Sequence, residues 1–194
     1  MLSTGLTRRQ QQSIELEAET TELRVYQTQI VPGLLQTAEY AEALMQRLVE
    51  FHRVPDDVEQ GVSTRMARQR ILHEDDHRFH FLISEQSLHS TVGSEDVMRR
   101  QLDRLASTLG MPRITLGVIP AAAEVLMVST SFVMFDDRMV MVEGTAAELT
   151  ITQPREVAIY RRAFDTFAEQ AVIGAEARAL IMAAMDRRCS SEGH

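Results

Sequence analysis

Two carboxylates stand in this sequence where binding groups tend to gather, at the ends of apolar runs. Glu85 follows Phe79 to Ile83, and Glu143 closes Met139 to Val142. By strand alternation Glu143 shares a face with Met139 and Met141. A carboxylate held against apolar neighbours loses hydration, so its pKa rises and it becomes a candidate acid, base or polar anchor. Each also has a plain explanation. Glu85, just after a capping Ser84, suits a helix dipole, and Glu143 suits a strand end emerging into water. Methionines concentrate beside them, at Met127, Met134, Met139 and Met141, with Phe132 and Phe135 interleaved. Flexible, polarizable Met side chains suit an adaptable apolar ligand or partner, although Met on a strand also fills ordinary core. Gln36 completes the set. It lies in Pro32-Gly33-Leu34-Leu35-Gln36-Thr37, where turn and cap chemistry accounts for the other residues but does not ask for a glutamine. The candidate ligand-binding residues are Gln36, Glu85, Met127, Phe132, Met134, Met139, Met141 and Glu143; any catalysis would rest on Glu143 and Glu85.

Other chemistry finds little support. His73-Glu74-Asp75-Asp76-His77-Arg78-Phe79-His80 gathers nitrogen and oxygen donors, but an acidic connector between a helix and a strand is ordinarily solvated. No metal is expected there. There is no Gly-rich phosphate loop, nucleophile elbow or dinucleotide fingerprint, so no cofactor is expected. Arg65, Arg68 and Arg70 share one predicted helix, and Arg8, Arg9, Arg99, Arg100 and Arg104 lie elsewhere. Their interleaved acids point to solvated faces and ion pairs of modest energy.

These residues need elements to hold them. A weakly amphipathic helix is expected over residues 10–24, with Ile14, Leu16 and Leu23 as a narrow stripe. Strand-like residues from Leu23 to Ile30 end at Pro32-Gly33. Thr37 is the expected N-cap of a helix from Ala38 to about Leu48. Asp56 and Glu59 have capping-box spacing for a second helix, through Arg70 and Leu72. A strand Phe79 to Ile83, a short helix from Ser84, and a helix Ser94 to Leu109 closed by Gly110 and Pro112 follow. Ile114, Leu116 and Val118 alternate in a strand, and Val125 to Phe135 and Met139 to Glu143 read as a hairpin. Helices from Gln153-Pro154 and over Ala175 to Arg187 finish the chain. The fold class is mixed α/β: a single domain, with a mixed sheet of four or five strands covered by helices. Its parts are an N-terminal helical arm over 1–24, a sensor-like domain over 25–188 and a polar tail over 189–194.

Composition narrows the partners. The 194 residues carry a net charge of -8, and an acidic chain lacks the Lys/Arg stripe that displaces phosphate counterions, so direct nucleic-acid binding is not expected. The lone Cys189 forms no internal disulfide. No apolar run approaches the roughly 18 residues of a membrane span, and residues 1–9 have no signal-peptide core. A cytoplasmic chain without membrane contact is expected. The narrow stripe of the N-terminal helix points to a homodimer.

The stretch Val31-Pro32-Gly33-Leu34-Leu35-Gln36-Thr37-Ala38-Glu39-Tyr40-Ala41 resembles the signature of a domain of unknown function found behind helix-turn-helix modules in actinobacterial, Xre-type, antitoxin-like regulators. The similarity continues at Arg65-Met66-Ala67-Arg68-Gln69-Arg70-Ile71-Leu72, Ile83-Ser84-Glu85-Gln86-Ser87-Leu88, Val92-Gly93, Gln101-Leu102-Asp103-Arg104-Leu105, Val118-Ile119-Pro120, Phe132-Val133-Met134-Phe135 and Val142-Glu143. Only one weak helix fits ahead of Pro32, so the three-helix DNA reader of such regulators is absent, and a stand-alone chain is favoured over an excised domain. The resemblance implies a transcription-regulatory sensor that recognises a small molecule or a small protein partner; it assigns no catalytic residue. The competing expectation is a stand-alone member recruited for cofactor-independent cyclase or isomerase chemistry in secondary metabolism.

Overall fold

The structure, a computed structural model, describes residues 14–53, 56–74, 76–144 and 147–191. Its six strands are β1 Glu22–Gln27, β2 Arg78–Ser84, β3 Ile114–Ile119, β4 Phe132–Phe135, β5 Met139–Glu143 and β6 Glu148–Ile151. They form one mixed sheet in the order β3-β2-β1-β4-β5-β6. β1, β2 and β3 are parallel neighbours, while β4, β5 and β6 follow as an antiparallel meander beside β1. Parallel strands need long crossovers, and helices supply them. α1 Ala38–His52 and α2 Val58–Arg68 connect β1 to β2; α3 Gln86–His89 and α4 Glu95–Thr108 connect β2 to β3. α5 Pro154–Gln170 and α6 Gly174–Ser191 come after the sheet. This topology sets the carboxyl ends of β1, β2, β3 and β5, and the amino ends of β4 and β6, along one edge of the sheet.

Local chemistry explains most boundaries. Thr37 and Ser94 cap α1 and α4, accepting from the Tyr40 and Val97 amides at 3.3 Å each. The expected capping box at Asp56 does not form: Asp57 precedes α2 without a side-chain cap bond, and Asp56 accepts from the adjacent Val58 amide. α2 then tightens into a 3₁₀ turn at Gln69–His73. The N-terminal helix is short where it is described, over 14–18, and residues 1–13 lie outside the described residues.

Two strand readings need correction. The expected strand from Val125 begins only at Phe132, and residues 121–131 have no regular structure. Val125 and Val128 are 78% and 89% exposed; β-favouring residues do not make a strand where no neighbouring strand pairs with them. β6 is a sixth strand beyond the four or five expected. Glu148, Leu149 and Thr150 are all exposed, so the segment lacks the apolar run by which a strand is recognised.

The sheet carries a core on each face. On one, Leu23, Val25, Phe79, Phe81, Ile83, Leu116 and Val118 meet Tyr40 of α1, Met98, Leu102 and Leu105 of α4, and Ile181 of α6. On the other, Tyr26, Leu82, Phe132, Met134 and Val140 meet Val157, Phe164 and Phe167 of the single helix α5. Tyr26 stacks on Phe167 with centroids 4.3 Å apart. A side chain at Gly117 would crowd this second face, since a Cβ there would lie 3.0 Å from Ala171 Cβ and 2.8 Å from Leu82 Cδ2. His80 points the same way, edge-on to Phe164 at 5.0 Å. Burial holds its imidazole below the usual pKa; the Arg24 charge adds to this and Asp165 opposes it. No helix among the described residues is long and apolar enough to cross a membrane.

Candidate functional site

The loop from Val31 to Thr37 leaves the end of β1 and is clamped on every side. Leu34 and Leu35 plug the core from a 3₁₀ turn. Tyr40 accepts through its hydroxyl from the Val31 amide at 3.3 Å. Gln101 of α4 donates to the Leu35 carbonyl at 2.9 Å and accepts from the Thr37 amide at 2.8 Å. Gln69 donates to the Gln36 carbonyl at 2.6 Å. Buried amides that each satisfy opposing backbone groups fix a loop firmly, because freeing either partner would leave a desolvated polar atom. Gln36 itself is only 1% exposed. Its Nε2 donates to the Val31 carbonyl at 2.7 Å, and its Oε1 accepts from Arg65 Nη1 at 2.6 Å. The sequence singles Gln36 out; the structure shows that it reaches Arg65 rather than solvent.

Arg65 and Arg68 depart from the expected solvated helix face. Neither has an acid four residues away, where Gly61 and Thr64 of α2 and Gln69 and Leu72 of the following 3₁₀ turn stand, so their partners come from other elements. Arg68 pairs bidentately with Glu17, through Nε to Oε2 at 3.0 Å and Nη2 to Oε1, and both side chains are nearly buried. Arg65 lies against the Gly33 backbone, where a Cβ would sit 3.8 Å from its Nε. That Nε is buried without a hydrogen-bond partner. Desolvation lowers the guanidinium pKa to about 10; the Arg68 charge adds to this, while Glu143 and Glu17 oppose it. Glu143 at the end of β5 therefore acts electrostatically on Arg65 at the end of α2.

Met139 and Met141 stand on the same face of β5 as Glu143. Met139, Met141 and Val133 pack on the first core yet are only partly buried. The β4–β5 register places Val133 opposite Met141 and Phe135 opposite Met139 on that face. Glu143 is exposed at its end and faces Glu148 across the β5–β6 pair. Met139, Met141 and Glu143 thus share one face of β5, and Gln36 is linked to them through Arg65, on which Glu143 acts.

The other four fall elsewhere. Phe132 and Met134 point into the opposite core, 1% and 0% exposed, and Phe132 meets Tyr160 edge-on. Met127 lies on the exposed loop before β4, outside any strand. Glu85 directly follows β2 and immediately precedes α3, and its Oε2 accepts from the Ala121 amide at 2.8 Å, tying down the start of that loop. Its other oxygen is 3.6 Å from His89 Nε2. Ser84 does not cap α3 as expected; its hydroxyl donates to the Thr28 carbonyl at 2.5 Å. β1 and β4 separate β2 from β5, which sets Glu85 and Glu143 roughly 14 Å apart at ordinary strand spacing.

Two further places gather polar side chains. His77 turns inward, its Nδ1 2.6 Å from the Thr20 carbonyl, and no metal-holding group of three His, Cys, Asp or Glu side chains occurs among the described residues. An open concavity of about 560 Å³ at the start of α2 is lined by Asp56, Asp57, Val58, Glu59, Gln60 and Ser63; its wall is polar and acidic, unlike a small-molecule site with an apolar floor.

The chain belongs to the family described as Domain of unknown function (DUF5753), whose model matches residues 10–183. No curated protein matches it.

Proposed function

We propose that the chain is a regulatory binding domain that takes a small molecule of mixed polarity on the Met139–Met141 face of the sheet, beneath Arg65. The observation that supports this reading is a partly buried methionine face on β5 whose terminal Glu143 acts on the firmly held Arg65. Small-molecule sites combine an apolar wall with a few fixed polar atoms, and the clamp of three glutamines and a tyrosine on 31–37 supplies the rigidity. In the regulators that this sequence resembles, such a domain would pass its occupancy to a DNA-reading module; this acidic chain would not read DNA itself. A cytoplasmic homodimer fits that role.

The enzyme alternative draws on Glu85 and Glu143 as an acid/base pair. Paired carboxylates must flank one reacting bond, and these two end strands that are not neighbours. The binding reading is therefore preferred. A thermal-shift screen of small amphiphiles tests it, run on the native chain and on Met141→Arg, which places a charge in the floor. Compounds at about one hundred times their Kd add roughly 2.7 kcal/mol of stability. The expected hits stabilise the native chain and lose their effect in the variant. Hits that stabilise both equally would show that the floor is not the site.

A further inference from the structure

Arg65 has one hydrogen-bond partner among the described residues, the Gln36 side-chain oxygen on Nη1. A guanidinium presents two paired-donor edges, and occupation of Nη1 leaves the side-on edge, Nε with Nη2. Nε is buried and unpartnered. Nη2 has no hydrogen-bond partner among the described residues either. We propose that this edge is the recognition point for a carboxylate carried on an apolar ligand. The inference rests on the ligand site proposed above and names its headgroup.

Three features favour a carboxylate. Two parallel N–H groups match the two oxygens of a carboxylate in a bidentate fork, which is stronger and more directional than a single contact. No carboxylate of the described residues bonds to Arg65, so its charge is met only at a distance by Glu143 and Glu17. A single negative charge also suits a site with Glu143 at its rim, where a phosphate dianion would meet twice the repulsion. The floor gives the ligand's body its class. From Glu143 back to Met139 the strand runs roughly 14 Å along one face, a length that suits a medium-chain acyl or comparably extended apolar body. Gln36 is a positioning residue here, holding Nη1 so that the opposite edge stays presented.

The test uses decanoate, decanol and decylamine, titrated calorimetrically into the full chain and into Arg65→Met, Arg65→Lys and Glu143→Gln. The native chain is expected to bind decanoate at least about ten-fold more tightly than decanol, and decylamine no better than decanol. Arg65→Met should reduce decanoate to the level of decanol. Arg65→Lys keeps the charge without the fork, retains the fold if Met disturbs it, and should keep only part of the preference. Glu143→Gln removes the rim repulsion and should tighten decanoate several-fold while leaving decanol unchanged. Equal binding of decanoate and decanol, or a preference that survives Arg65→Met, would overturn the carboxylate assignment and leave the site standing. Failure of all three probes to bind the native chain would overturn the site together with the assignment.

Discussion

Replacing Gln36 by Leu removes one side chain and leaves two buried groups without partners. The Val31 carbonyl loses its donor, and Arg65 Nη1 loses its acceptor. Leu is close to Gln in size, so the site stays filled and the loss is chiefly polar. An orphaned buried group costs about 1–3 kcal/mol, more where a charge is involved. The two together should cost about 2–5 kcal/mol, a large share of the roughly 5–15 kcal/mol of a typical domain. For a chain of this size each kcal/mol moves the melting temperature by about 2–4 °C, so a fall of roughly 4–20 °C is expected. Urea unfolding followed by circular dichroism should give a lower midpoint with an unchanged slope, because the surface exposed on unfolding is the same. Gln36→Glu separates the two bonds: it keeps an acceptor for Arg65, now charged, and loses the donor to Val31, so it should fall between Leu and the native chain. A loss below about 1 kcal/mol for Gln36→Leu would refute the claim that this side chain anchors the loop and Arg65.

Arg68→Met should cost about 3–5 kcal/mol in the same urea assay, because it strands the buried Glu17 carboxylate, and Glu17→Leu added to it should restore much of the loss; a single variant as stable as the native chain would count against a buried pair. Gly117→Val should cost about 1–3 kcal/mol by overpacking β3 against Ala171 and Leu82, read from the melting temperature. His80 gives a pH signature. Its folded pKa lies below its unfolded value near 6.5, so its contribution to stability is full above that value and is lost as pH falls through the folded pKa. His80→Gln should flatten stability against pH in that acidic window, and an unaltered profile would exclude the assignment.

Much of the fold is legible where one residue type answers one local demand. Thr37 and Ser94 cap their helices, a turn forms at Pro32-Gly33 although β1 stops earlier, at Gln27, and the buried parallel strands read as short apolar runs. β6 is not legible, because its pairing with β5 and not its own hydrophobicity makes it a strand. The segment 125–128 shows the converse, strand-like residues with no partner. At the site, the alternation of Met139, Met141 and Glu143 on one face holds. The opposite orientation of Phe132 and Met134 follows from β4 register, which sequence alone does not fix. Arg65 was hidden by its setting among other arginines. The available signal was the lack of any acid at helical spacing, which obliges a charge on a packing helix to find its partner elsewhere.

The central claim is that a ligand sits on the methionine floor beneath Arg65, and methyl resonances of ¹³C-methionine-labelled chain report on that floor directly. Decanoate titration should shift the Met139 and Met141 methyl signals progressively, while Met98 and Met45, fully buried in the helices opposite, stay in place. The same titration on Arg65→Met should leave all four unmoved at equal concentration. Shifts confined to Met127, or spread evenly over every methionine, would contradict the site.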